Sequence, residues 1–359
     1  MSGWGGLGVP GKEVRGHDLV RLTEDAVLSR GLGRAYGDSA LPPPGGWVAG
    51  TALADRILAF DEASGRLTAE AGLSLHAIRR HFLHRGWFVP VTPGTQFVTL
   101  GGAVASDVHG KNHHVAGTFG RHVESLSMRV ADGRVLRTDR VQHPDLFAAT
   151  LGGQGLTGHV LEVTVDLERV PSPWIFQETE RVPHIDRFLE ALEQAGPRWP
   201  FTVGWIDCLS TGASLGRGHL VKGRWADPGE GPSHPPGELR EIGFPFRLPG
   251  LALNDWTVWA FNQLYYWRQP QRWKVGVVHP EPFFYPLDAV RNWNRMYGKR
   301  GFTQHQIVIP REAGRGAIVR YLELLSRLGG ASFLCVIKDC GAEGEGLLSF
   351  PRPGMSVAL

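Results

Sequence analysis

Residues 100–120, LGGAVASDVHGKNHHVAGTFG, constrain this chain more than any other stretch. They hold five glycines, three histidines and an aspartate in 21 positions. Glycine at that density marks backbone pressed against something that a Cβ would obstruct. The histidines then offer ring nitrogens at the point of closest approach, and Asp107 reads as buried. This pattern predicts the wall of a cofactor site.

Two further glycine clusters flank it. Arg30–Asp38, RGLGRAYGD, makes a tight loop whose N–H groups can point at one anion. It follows a short strand at Ala26–Ser29 but opens no helix, because Pro42–Pro44 and Gly45–Gly46 come at once. That argues against a nicotinamide domain with its G-x-G-x-x-G helix. Leu151–Gly158, LGGQGLTG, is the third. Three such clusters predict a large, phosphate-bearing cofactor laid along loops.

The charge and length set bounds. A net charge of +3 gives no case for nucleic acid. Three scattered cysteines form neither a disulfide framework nor a zinc signature, and H-x3-H-H lacks the partners a metal site wants, so no metal is expected. No charged and apolar leader opens the chain and no apolar run is long enough to span a bilayer. This predicts a cytoplasmic protein, with peripheral contact to a membrane or envelope left open.

Periodicity places the elements. Strands are expected at Trp47–Thr51, Ile57–Asp61, Gly65–Ala71, Trp87–Val91, Val123–Val130, Arg134–Arg137 and Val160–Arg169, and a helix over Leu73–Gly86. Residues 1–29 read mostly as loop, including the charged run after Pro10–Gly11. Pro171–Pro173 marks a boundary. Beyond it come a helix over Ile185–Ala195 and strands over Phe201–Leu209 and Gly218–Trp225. A further strand (Gln304–Pro310), a helix (Arg315–Leu328) and a strand (Ala331–Lys338) follow. Trp256–Trp273, with four tryptophans and two tyrosines, reads either as packing between domains or as an apolar surface for a lipid tail or membrane.

RGLGRAYGD, TPGT, LGGAVASDVHGKNHHVAGTFG and DLFAATLGGQGLTG together resemble the flavin-binding domain of the vanillyl-alcohol-oxidase superfamily. FFYPLD, RNWNRMYG, QHQIVIP, SFLCVIKDCG and LSFPRPG extend the resemblance to the family of decaprenylphosphoryl-β-D-ribose oxidases. The resemblance implies an α+β protein. A PCMH-type two-subdomain FAD-binding domain over residues 1–170 would precede an α+β substrate, or cap, domain with an antiparallel sheet over residues 171–359.

It also implies roles. Gly31, Leu32, Gly33, Arg34, Ala35, Tyr36 and Gly37 would line the pyrophosphate of a noncovalent FAD. Gly94, Thr95, Val98, Thr99, Gly101, Gly102 and Ala103 would meet its ribityl chain and ring. Ser106, Val108 and His109 would lie at the isoalloxazine, with Gly155 and Val160 on the adenine side. Lys111, Trp205, Tyr285, Gln304, Gln306 and Lys338 would face the substrate, and His109 and Lys338 would be catalytic. Gln304 and Gln306 stand two apart on an expected strand, so both amides face one side. His109 keeps three readings: a covalent flavin link, a group that orients substrate or balances the reduced flavin's charge, or a structural histidine. His113 and His114 read as structural.

The implied reaction is oxidation of a sugar secondary alcohol, by hydride transfer to flavin N5. The expected substrate is the 2′-hydroxyl of a polyprenyl-phosphoryl-β-D-ribose, and an NAD(P)H-dependent reductase partner would complete an epimerisation in cell-wall arabinan precursor synthesis. An alditol or aldonolactone oxidase and a noncatalytic flavin-binding remnant are the alternatives. The family continues past the position of Leu359 with a lysine and a tyrosine near the flavin, so a C-terminally truncated chain is expected. Its substrate-site asparagine falls on Ser356, and a cysteine position on Ala358. The family's helix and strand ahead of RGLGRAYGD find little room in Leu22–Ser29.

Overall fold

The computed structural model describes residues 1–359 except Pro197, Glu241, Leu251, Gly330 and Ala331. The N-terminal 50 residues form a parallel three-stranded sheet, ordered β1 (Lys12–Arg15), β3 (Trp47–Gly50), β2 (Leu28–Arg30). The charged run expected as loop is thus the edge strand β1. An edge strand leaves one side to water, so it accepts Lys12, Glu13 and Arg15 without a core face. A four-residue helix, α1 (Leu19–Leu22), and β2 do fit ahead of the glycine loop, against expectation. Asp18 caps α1 by accepting from the Arg21 N–H.

The second sheet is antiparallel, ordered β4 (Ile57–Asp61), β5 (Arg66–Glu70), β9 (His159–Asp166), β7 (Val123–Arg129), β8 (Val135–Asp139). Between β5 and β9 in sequence come α2 (Leu75–Phe82), the two-residue β6 (Trp87–Phe88), α3 (Leu100–Ala105), α4 (His113–Ala116) and α5 (Pro144–Thr150). The expected strand Trp87–Val91 is only β6, which pairs with β10 (Glu168–Arg169). α2 follows its periodicity: Ser74 caps it, Leu75, Ile78 and Phe82 are buried, and Gly86 ends the following turn at φ +80°. α3 was not legible as a helix because two of its six residues are glycine. Thr99 caps it by accepting from the Gly102 N–H, and it packs into the core through Leu100, Ala103 and Val104.

The third sheet has seven antiparallel strands, ordered β15 (Trp273–Val278), β11 (Ile175–Val182), β13 (Gly218–Trp225), β12 (Phe201–Ile206), β18 (Val336–Cys340), β19 (Gly354–Ala358), β17 (Gln306–Pro310). Helices α6 (Ile185–Ala195), α7 (Asp255–Trp267), α8 (Pro280–Phe284) and α9 (Gly314–Arg327) accompany it, and β14 (Ile242–Gly243) pairs with β16 (Val290–Arg291). The expected strand over Ala331–Lys338 begins at Val336, and its first residue lies outside those described. β17 starts at Gln306, so Gln304 precedes it. The architecture is α+β. One core binds α2, α3 and the second sheet, and it also takes in Ile175, Phe201, Trp225 and Phe283–Tyr285 from beyond the Pro171–Pro173 boundary. A second core lies under α6 and α9. Among the described residues no helix is long and apolar enough to cross a membrane.

Candidate active site

The loop after β2 is shaped by its glycines. A Cβ on Gly31 would stand 2.4 Å from Thr99 Oγ1. Gly33 has φ +63°, and its Cβ would fall 2.3 Å from Arg30 Nη2. Arg30 is itself fixed, donating to the carbonyls of Ala40 (2.9 Å) and Ser2 (3.0 Å). Among the described residues the backbone N–H groups of Leu32, Gly33, Ala35, Tyr36 and Gly37 donate to no protein acceptor. A run of unpaired amides around a left-handed glycine is an anion cradle. The Arg34 guanidinium lies 3.8 Å from the Trp4 ring centroid. Tyr36 meets Phe302 at 4.9 Å, and burial, with Asp288 adding, pushes its hydroxyl up to about 12.

The turn at Gly94–Thr95 is held by Asp288, which accepts from Thr95 Oγ1 at 2.7 Å and the Gln96 N–H at 2.8 Å. Gly94 is exposed, with open space where a Cβ would sit. Val98 packs against the first core and leads into Thr99. A Cβ on Gly101 would lie 3.0 Å from that of Ala71, and Gly102 sits on the Thr99 cap beside buried Ala103. Ser106 is exposed, and Val108 packs against the core. The third glycine cluster is pinned to the end of α3 by Gly152 N–H to Val104 O (3.0 Å) and Gln154 N–H to Ala105 O (2.8 Å). Gly155 (φ +81°) faces open space and Val160 is buried.

His109 and Lys111 leave this wall and meet the third sheet. Lys338 Nζ lies 3.4 Å from His109 Nδ1, and Gln306 Nε2 lies 3.4 Å from His109 Nε2. Gln306 Nε2 donates to Ser356 Oγ at 3.1 Å, and Gln304 Nε2 donates to Gln306 Oε1 at 3.0 Å. Lys111 Nζ donates to the Phe284 carbonyl at 2.8 Å. Phe350 stacks on His109 at 6.2 Å. Burial, with Lys338 adding, holds His109 well below the usual histidine value, so it is neutral. Burial, again with Lys338 adding, lowers Lys111 to about 7, and burial lowers Lys338 too. Neither amine forms an ion pair with a carboxylate among the described residues. The cluster is three half-buried bases with no carboxylate paired to them among the described residues, an arrangement that favours an incoming anion or a proton leaving a neutral group.

Two of the expected substrate residues have their polar groups held by protein partners. Tyr285 is 0% exposed and its hydroxyl bonds Thr92 Oγ1 at 2.8 Å. It is a core residue because Phe283, Phe284 and Tyr285 all pack against the flavin-side core. Trp205 is 8% exposed, donates Nε1–H to Phe333 O at 2.9 Å and packs on Tyr265. His113 Nδ1 accepts from the Gly341 N–H (3.0 Å), and His114 Nε2 lies 3.2 Å from Trp199 O. Sequence reasoning passed over Asp288 as a positioning group, although it closes the motif FFYPLD, and it marked Ser356 only as the place of the family's substrate-site asparagine.

A model of an FAD-binding domain matches residues 18–139. Across the whole chain, 34% of residues are identical to decaprenylphosphoryl-β-D-ribose oxidase of Mycolicibacterium smegmatis, over 82% of that relative's length. A Neurospora crassa protein named as a D-arabinono-1,4-lactone oxidase is 26% identical over 41% of this chain and 26% of its own. Bovine mitochondrial D-2-hydroxyglutarate dehydrogenase is 30% identical over 35% of this chain and 24% of its own. The fold and these matches define an FAD-dependent oxidoreductase acting on CH–OH groups. Within that class the chain belongs to the decaprenylphosphoryl-β-D-ribose oxidase family. The residues present fit the cofactor: the amides of Leu32, Gly33, Ala35, Tyr36 and Gly37 are the donor set a pyrophosphate needs, and Gly31, Gly33 and Gly101 let the backbone pack where a Cβ would strike Thr99, Arg30 and Ala71.

Proposed function

We propose that this protein oxidises the 2′-hydroxyl of a polyprenyl-phosphoryl-β-D-ribose to the 2′-keto sugar. The observation that carries this reading is the uncompensated basic cluster of His109, Lys111 and Lys338, where the flavin-side wall meets the third sheet. Bound FAD supplies the hydride acceptor. Gly31–Gly37 hold its pyrophosphate. Gly94, Thr95, Val98, Thr99 and Gly101–Ala103 lie along its middle, Ser106, Val108 and His109 at its ring, and Gly155 and Val160 at its adenine end. The FAD is held noncovalently in this reading, which leaves His109 free to act on substrate.

Gln304 and Gln306 present amides to the sugar hydroxyls, and Ser356 fixes the Gln306 amide. Lys111, cationic below pH 7, meets the substrate phosphate. Neutral His109, with the Lys338 amine at Nδ1, takes the proton from the 2′-hydroxyl. A reductase that reduces the keto sugar from its other face completes an epimerisation for arabinan precursors. Such a partner uses NAD(P)H.

The test is anaerobic reduction of the full chain loaded with FAD. A polyprenyl-phosphoryl ribose bleaches the visible flavin absorbance, and free alditols do not. His109→Ala lowers the reduction rate about a hundredfold while FAD content stays level. Bleaching by alditols or aldonolactones alone assigns the site to an alditol oxidase. Equal loss of rate and FAD content in His109→Ala makes that residue structural.

A further inference from the structure

Helix α7 is built inside out. Asn254 caps it with a full capping box, so its register is fixed. Its buried face is Val258, Asn262 and Tyr266, spaced four apart. Asn262 is 0% exposed and donates Nδ2–H to Asp207 Oδ1 at 2.8 Å, while Arg217 holds Asp207 at 2.8 Å. The helix therefore docks through a polar bond and presents its large apolar side chains outward. Trp256 is 76% exposed, Leu264 74%, Trp267 56%, Trp259 47% and Phe261 41%. A surface helix in water places such residues inward, and an exposed patch of this kind marks an interaction surface.

The charges nearby select what covers it. Arg268 ends the helix 3.7 Å from the Tyr265 ring, and Lys274 follows on β15. Lys299 and Arg300 follow Tyr297, which joins α7 through Phe333. All four cations are exposed and form no ion pair among the described residues. Asp255 is the exposed carboxylate that α7 itself carries. Tryptophan rings collared by unpaired cations match the headgroup layer of an anionic bilayer.

The patch also connects to the site. Phe261 meets Phe333 at 5.7 Å, Phe333 meets Tyr297 at 5.6 Å, Tyr297 meets Phe302 at 4.4 Å and Phe302 meets Tyr36 at 4.9 Å. This aromatic line ends at the Gly31–Gly37 loop. We infer that α7 is a docking helix that seats the protein on an anionic membrane surface, with the aromatic line bracing it against the Gly31–Gly37 loop. The docking goes beyond the proposed reaction and does not rest on it.

The test is co-sedimentation of the full chain with vesicles of phosphatidylcholine and phosphatidylglycerol, against phosphatidylcholine alone. The protein sediments with the anionic vesicles, less at high salt, and tryptophan emission shifts to the blue. The triple variant Trp256→Ser, Trp259→Ser, Leu264→Ser partitions about tenfold less or weaker, with unchanged melting midpoint and FAD absorbance. Absence of wild-type binding overturns the proposal, as does a variant that binds like wild type. So does a wild-type dimer that the variant dissolves without any vesicle binding, since the helix then covers a second copy. Vesicle binding with no flavin bleaching by any lipid-phosphate sugar leaves the docking in place and removes the oxidase reading.

Discussion

Lys111 joins two facts that pull in opposite directions. Its amine is buried beside Lys338 and still carries the charge a phosphate would want. Burial is the larger cause of its fall to about 7, and the neighbouring Lys338 adds to it. The sign follows: the amine is charged below pH 7 and neutral above, where an exposed lysine would stay charged. Substrate affinity for a phosphate-bearing sugar therefore weakens as pH rises from 6 to 8. Steady-state kinetics should show KM rising about tenfold per unit above 7, and Lys111→Met should flatten that limb while leaving any His109 limb in place. A KM that stays level across this range takes Lys111 out of phosphate binding. The run HGKNHH was visible as a dense set of bases. Which base meets the third sheet was not, because that depends on distant backbone: Gly341 and Trp199 occupy His113 and His114, while the His109 ring nitrogens lie against Lys338 and Gln306.

Elements that bury one apolar stripe could be read closely. The periodicity of Ile185–Ala195 reproduces α6 to the residue, with Ile185, Phe188, Ala191, Leu192 and Ala195 buried. β11 escaped notice because it carries Gln177, Glu178, Glu180 and Arg181 in the middle of a sheet. Glu180 is fully buried there, held by Arg187 and Arg272, and such pairing is invisible in a local pattern. The same physics makes the segment Pro280–Asp288 a clamp. Glu281 pairs with Arg79 of α2 at 2.8 Å, both side chains under 10% exposed, and Arg79 also donates to Gln96. Tyr285 bonds Thr92, and Asp288 holds the Gly94–Thr95 turn. Removing one partner of a buried pair leaves an uncompensated charge, which costs about 3–5 kcal/mol. Glu281→Gln should lower the urea midpoint accordingly and loosen FAD, whereas Glu238→Gln, whose pair with Arg80 is exposed, should leave the midpoint within about 0.5 kcal/mol. Equal effects from the two would mean that the clamp adds nothing to stability.

Across the whole molecule, the loops proposed to hold the cofactor come from residues 31–37, 94–109 and 151–160, and no local segment holds them together. They meet because the first core draws Phe283–Tyr285 of the third-sheet region against α2 and α3. Pro171–Pro173 was read as a domain boundary, but the crossing of the core beyond it was not legible, since Ile175, Phe201 and Trp225 look like any strand residues until the sheets are placed. A site gathered from such separate parts exists only in the folded chain, so FAD binds the native state and not the unfolded one. Native-state binding stabilises by RT ln(1 + [L]/Kd), about 2.7 kcal/mol at a hundredfold excess over Kd. For a chain of this length that corresponds to a rise of about 3–4 °C in melting midpoint. The proposed source is local: among the described residues the amides of Leu32, Gly33, Ala35, Tyr36 and Gly37 lack protein acceptors, and a pyrophosphate would satisfy them. Riboflavin has the ring without the phosphates, so it should move the midpoint far less than FAD at equal concentration. Scanning fluorimetry of the stripped protein with each ligand reads both shifts. Equal shifts would place the binding energy on the ring and deny the glycine loop its role, and no shift with FAD would deny the cofactor site itself.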